Sequence, residues 1–265
     1  MRGKDILGFL NILIVIGILG GISYAALILR PADFDADTLC LDGEIPPHLA
    51  VVIDKTDLYS REQALSIEEL VLASRDGLDI GEQLTLFELD ARGELVNTNN
   101  FSLCNPGRGE QINPLYRNPR RVEARYQALF EEPLQAALAD LVEPKESPAS
   151  PILESLARLA VSPEFDGERP ARRVVLVSDM LQNSQLFSVY GRARGDLANR
   201  LPDPYQVALA LEEEYGRALI GVEIDIYIIP RRNWEQDQAT ILRGYWDQVF
   251  RNLGMRANWV TLDAV

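Results

Sequence analysis

The sequence predicts an α/β fold: a doubly wound, mostly parallel sheet of six strands, one of them antiparallel, preceded by an N-terminal transmembrane helix. Three observations carry that expectation. Short apolar runs alternate with amphipathic stretches at helical spacing, as in a parallel sheet covered by helices. Two of the runs, "LAVVID" and "VVLVSD", stop abruptly at an aspartate. Residues 6–29 are almost wholly apolar.

In chain order, Ile6 to Leu29 is interrupted only by Asn11, Ser23 and Tyr24. At about 1.5 Å per residue it reaches across a hydrocarbon core of roughly 30 Å. Arg2 and Lys4 precede it and Asp33, Asp35 and Asp37 follow. The positive-inside rule then puts residues 1–5 in the cytoplasm and 6–29 in the membrane: a single-pass protein of the bacterial inner membrane, with a linker over 30–47 and a domain over 48–265 on the periplasmic or extracellular side. A cleaved signal peptide is the competing reading. Its apolar core normally spans about 7 to 15 residues and ends in a small-x-small site, whereas "SYAALILRP" regains apolar character after its alanines. Gly17 and Gly21 have a spacing that lets another helix approach closely.

After the acidic, Pro-Pro-containing linker and the strand "LAVVID" comes "SREQALSIEELVLASRDG", a helix with Ser60 as N-cap and Gly77 near its stop. "EQLTLFELD" and "ELVNTNNFSL", separated by "ARG", form a hairpin and supply the antiparallel strand. A long helical pattern covers Arg120 to Val142, which Pro133 kinks or splits. "PILESLARLA" is a short helix and "VVLVSD" the next strand. The stretch after it has no clear period and is long for a connection, as functional loops are. Helix "YQVALALEEEYGRAL", strand "GVEIDIYIIP", helix "WEQDQATILRGYWDQVFRNLG" closed by Gly254, and strand "ANWVTLD" complete the pattern.

A formal net charge of -14 opposes association with nucleic acid, whose phosphates reward a basic face. His48 is the only histidine, which leaves a serine triad or a histidine-based zinc site almost nothing to work with. Neither G-x-S-x-G nor G-x-x-x-x-G-K-[ST] occurs. Cys40 and Cys104 are a candidate disulfide, which would stabilise by roughly 4 kcal/mol in an oxidising compartment, or else two buried thiols.

The sharpest constellation lies at the strand ends. In a doubly wound sheet the first and fourth strands are neighbours, so Asp54 and Asp179 would emerge side by side at the carboxyl edge. Two carboxylates held together want a cation, a shared proton or a basic neighbour. Aspartates that merely serve a turn are the alternative.

In "DKTDL", "ASPILESLARLA", "VVLVSDM" and the ending "YWDQVFRNLGMRANWVTLD", the chain resembles the von Willebrand factor type A family over roughly residues 49–262. That family's metal-ion-dependent adhesion site uses Asp-x-Ser-x-Ser after the first strand, a threonine in a later loop, and an aspartate after the fourth strand. The resemblance implies a degenerate site of Asp54, Thr56, Ser150 and Asp179, with Leu58 where a ligating hydroxyl is expected and Asp57 or Ser60 as substitutes for it. The resemblance fixes no cofactor; Mg2+ or Mn2+ is the cation such oxygens would take. The rival reading is a metal-free cluster whose aspartates accept hydrogen bonds from the loops.

The resemblance implies a module that binds a protein partner in or at the membrane, in assembly of an envelope complex, with no catalytic residue. Arg231 and Arg232, after "IDIYIIP", and Leu181, Phe187 and Tyr190, in the long loop, are the expected partner contacts. Two other readings stand beside it. One is metal-assisted phosphoryl hydrolysis using Asp54, although "DKTD" lacks the second aspartate of haloacid dehalogenase-type phosphatases. The other is a scaffold acting through its helices.

Overall fold

Seven buried residues, His48–Asp54, form β1 at the centre of the sheet. Alternation along it feeds two cores. Ala50 and Val52 join one apolar cluster, and Leu49, Val51 and Ile53 join the other. A strand apolar on both sides needs cover on both faces, which is the condition of a parallel sheet. The computed structural model describes residues 3–28, 34–56, 60–90, 92–112, 114, 117–141, 149–191 and 196–261, with 3–7, 25–28 and 261 described by backbone alone.

The remaining strands are β2 (Gln83–Leu89), β3 (Leu95–Cys104), β4 (Arg172–Ser178), β5 (Glu223–Ile228) and β6 (Arg256–Thr261). Their order is β3-β2-β1-β4-β5-β6, with β3 antiparallel to β2 and every other pair parallel. This is the doubly wound order whose switch point lies between β1 and β4. Helices α5 (Ile152–Val161), α7 (Pro204–Tyr215) and α9 (Arg243–Asn252) supply the first cluster; α2 (Arg61–Asp76), α3 (Pro119–Tyr126) and α4 (Glu132–Leu141) supply the second. The short helices α6 (Leu197–Arg200) and α8 (Glu235–Asp237) lie in the connections after β4 and β5.

Ser60 caps α2 as expected. Its Oγ accepts from the Gln63 N–H at 3.2 Å, and Gln63 Oε1 accepts from the Ser60 N–H at 2.9 Å, a reciprocal capping box. The long helix expected over 120–142 is interrupted by a π turn. A π turn, Gln127–Glu131, joins α3 to α4 immediately before Pro133, and the wider turn accommodates the N–H that proline lacks.

Two expectations for the N-terminal region need correction. The chain divides into two compact units, one ending at Phe34 and one beginning at Asp35. The first contains α1 (Gly3–Ile28). Among the described residues no helix is long and apolar enough to cross a membrane, so the single-pass placement, with 1–5 cytoplasmic, 6–29 spanning and the domain periplasmic or extracellular, is overturned. That finding concerns the part of α1 with described side chains, which is 17 residues. At about 1.5 Å each they reach roughly 26 Å, less than a hydrocarbon core of roughly 30 Å.

The linker expected over 30–47 is, from Asp35 onward, part of the domain. Leu39 is buried in the second core, the Cys104 N–H donates to the Thr38 carbonyl at 2.8 Å, and Cys40 and Cys104 are joined as a disulfide. The bridge ties this segment to the end of the edge strand β3.

Candidate functional site at the carboxyl edge

Parallel pairing of β1 with β4 aligns Ile53 with Val177, so Asp54 and Ser178 finish side by side and Asp179 follows one residue on. Asp54, Thr56, Ser178 and Asp179 are all buried there, and so is Ser150. Ser150 arrives from the segment before α5 and is held by a two-way backbone pair with Asn183 in the loop after β4, at 2.9 Å in each direction.

Asp54 is saturated. Its Oδ1 accepts from the Thr56 N–H at 3.1 Å and from Thr56 Oγ1 at 2.6 Å. Its Oδ2 accepts from Ser150 Oγ at 3.0 Å and Ser178 Oγ at 2.8 Å. A buried carboxyl group requires such hydrogen bonding to offset its lost hydration. The loop beyond β4 is fixed as well: Met180 takes a left-handed φ of 59°, its N–H donates to Ser178 Oγ at 2.9 Å, and its carbonyl accepts from Trp246 Nε1 at 3.1 Å.

Asp179 is served differently. Its Oδ1 accepts from the Leu181 N–H at 2.9 Å, and its Oδ2 is paired with Arg231 Nε at 2.7 Å. Burial first, and then the charge of Asp54, push the Asp179 carboxyl above the usual carboxylate range, while Arg231 and the Leu181 N–H pull it down. Arg231 is therefore the basic neighbour that the two carboxylates required.

The arginine is held by its own backbone. Gln238 Oε1 accepts from the Arg231 N–H at 3.0 Å, and Gln238 Nε2 donates to the carbonyls of Asp179 at 2.8 Å and Ile229 at 3.0 Å. One buried amide thus clamps the loop after β5 to the loop after β4.

These residues do not present a vacant ligand set. Divalent magnesium or manganese needs several free oxygen lone pairs in near-octahedral array, and both carboxylates already accept from protein donors, one of them cationic. Ser60 is committed to its helix cap. Asp57 and Leu58 lie outside the described residues. Among the described residues no three His, Cys, Asp or Glu side chains form a metal-holding group.

The partner contacts expected from the sequence fare unequally. Leu181 and Phe187 are core residues: they are only 2% and 7% exposed, and Phe187 packs against Tyr245 and Trp246 with centroids 5.5 and 5.9 Å apart. An aperiodic loop can still contribute to a core, so apolar residues in it need not be surface anchors. Arg231 is spent on Asp179. Arg232 is exposed, and Tyr190 is 40% exposed with its ring edge-on to Trp234 at 5.6 Å.

Three participants escaped the sequence reading. Ser178 was legible as the one hydroxyl ending an apolar strand. Gln238 was legible too, since it falls on the helical stripe of Trp234, Leu242 and Tyr245. Lys55 carried no such signal: it is 2% exposed and donates to Glu88 Oε2 at 3.0 Å and to the Asp140 carbonyl near the end of α4 at 2.9 Å.

No family model matches the sequence, and no curated protein does. Among solved structures, the chain is similar to the PilB minor pilin from Streptococcus sanguinis, at 10% identity and a TM-score of 0.48, over 84% of this chain and 59% of that one. It is similar to an aerotolerance-related membrane protein from Bacteroides fragilis at 10% identity and a TM-score of 0.37, over 81% and 91%. A third is proximal thread matrix protein 1 from the mussel byssus, whose MIDAS motif holds zinc, at 13% identity and a TM-score of 0.40, over 82% and 44%. The chain therefore spans less than two thirds of the pilin's length.

Proposed function

We propose that residues 35–265 form a von Willebrand factor A-like module that binds a protein partner at the carboxyl edge of its sheet and performs no chemistry there. The sheet order and the antiparallel edge strand support the architecture. The observation that carries the reading is the saturation of Asp54, whose two oxygens take four donor contacts. A carboxylate nucleophile needs a free lone pair and a positioned acid, and this one is spent on holding loops in place. Among the described residues, the edge offers the exposed Arg232 and Tyr190 outward.

Photo-crosslinking side chains placed at Arg232 and at Tyr190 in the full chain test this. Both should yield the same discrete adduct in cells, and a control at the exposed Glu168, at the opposite edge before β4, should not. Equal labelling at all three positions, or hydrolysis of a phosphate ester that disappears with Asp54→Asn, would overturn it.

A further inference from the structure

The fold places two acids where the resemblance expects a divalent cation, yet the loop after β5 delivers a guanidinium to one of them. Arg231 is no loose surface side chain. It is only 15% exposed, its Nε lies 2.7 Å from Asp179 Oδ2, and its main chain is fixed by the clamp of Gln238, itself 4% exposed. We propose that Arg231 is this domain's own cation, occupying Asp179 so that a divalent metal is kept out of the Asp54 and Asp179 cluster and the edge docks its partner without one.

The charges and ligand chemistry lead there. With Arg231 in place, an arriving metal ion would meet a fixed positive charge and a carboxylate whose Oδ2 is already engaged. With that charge removed, the cluster becomes two carboxylates and the hydroxyls of Thr56, Ser150 and Ser178. All are hard oxygen donors of the type Mg2+ and Mn2+ take. The sequence departs from the family motif at Leu58, and the arginine makes a second departure in the same direction.

The inference deepens the docking reading of the same edge, but its readout is separate. Mn2+ binding by the full chain is measured by the loss of the free-ion electron paramagnetic resonance signal, for wild type, Arg231→Met and Arg231→Met/Asp179→Asn. The expected result is at least a tenfold gain in affinity in Arg231→Met over wild type, lost again in the double variant. Should Arg231→Met not fold, Arg231→Gln, which keeps a neutral donor near Asp179, takes its place with the same expectation. Wild type binding Mn2+ as tightly as the folded single variant, or no gain in that variant, would overturn the proposal. Loss of crosslinking at Arg232 with the Mn2+ result intact counts against docking alone; crosslinking abolished by EDTA in wild type counts against the metal-free cation.

Discussion

Arg231 and Asp179 come from the connections that follow adjacent parallel strands, and they meet through one Nε–H···Oδ2 contact of 2.7 Å. The pair joins the loop after β4, at the switch point, to the loop after β5. It also gives a buried acid the one compensation that its hydroxyl-bound neighbour Asp54 does without.

The amide that aims Arg231 should matter more for stability than a lone glutamine usually does. Gln238→Leu keeps the volume but strands the Arg231 N–H and removes a donor from two carbonyls. An unpaired buried group costs about 1–3 kcal/mol, so a loss of roughly 3 kcal/mol is expected in urea unfolding. A loss under about 1 kcal/mol would mean that water replaces the clamp without penalty.

Ser150 and Ser178 serve the same oxygen of Asp54, so their removal should not be additive. Either alanine variant leaves Oδ2 one hydroxyl donor, whereas the double variant leaves it none. The double-mutant cycle should show excess destabilisation of at least about 0.5 kcal/mol, the lower end for residues sharing a partner. Simple additivity would mean that the two hydroxyls act on that oxygen independently.

His48 gives a pH dependence with a definite sign. Burial lowers its pKa from 6.5 to about 4, and its ring nitrogens contact the Glu164 carbonyl at 2.7 Å and Thr85 Oγ1 at 2.8 Å. The unfolded chain takes up the proton first. The stability contributed by neutral His48 is thus complete above pH 6.5 and is lost as pH falls toward about 4. The stability difference between wild type and His48→Gln should shrink by roughly 3 kcal/mol over that window. A difference independent of pH would show that the folded protein accommodates the charged ring.

Reduction of the Cys40 to Cys104 bridge, which closes a separation of 64 residues, should lower stability by roughly 4 kcal/mol in the chain-entropy model. Thermal unfolding with and without reductant, against a Cys40→Ser/Cys104→Ser variant, measures it. Equal midpoints in all three would mean that packing of Leu39 and the backbone bond from Cys104 to Thr38 hold the segment from Asp35 without the bridge.

The sheet was legible because its strands are short apolar runs with sharp stops, and the stops at Asp54 and Asp179 are where the buried polar cluster lies. The hairpin and the Ser60 cap were legible from local chemistry, which needs no knowledge of the rest of the chain. Leu181 and Phe187 were not, because whether a loop folds back on the core is decided by residues far away, such as Tyr245 and Trp246. The pairing of Arg231 was foreshadowed only as placement on the same edge; which acid it meets depends on Gln238, whose partners lie in three segments. The apolar N-terminal stretch was read by length and composition alone, and its membrane assignment did not survive.

The tie between Ser150 and Asn183 and the glutamine clamp together turn three loops into one pre-shaped rim. A partner meeting such a rim need not wait for it to order, and little conformational entropy remains to be surrendered on contact. Encounter would then be followed by lock-and-key seating, and differences among related partners would be expressed in residence time more than in the speed of capture.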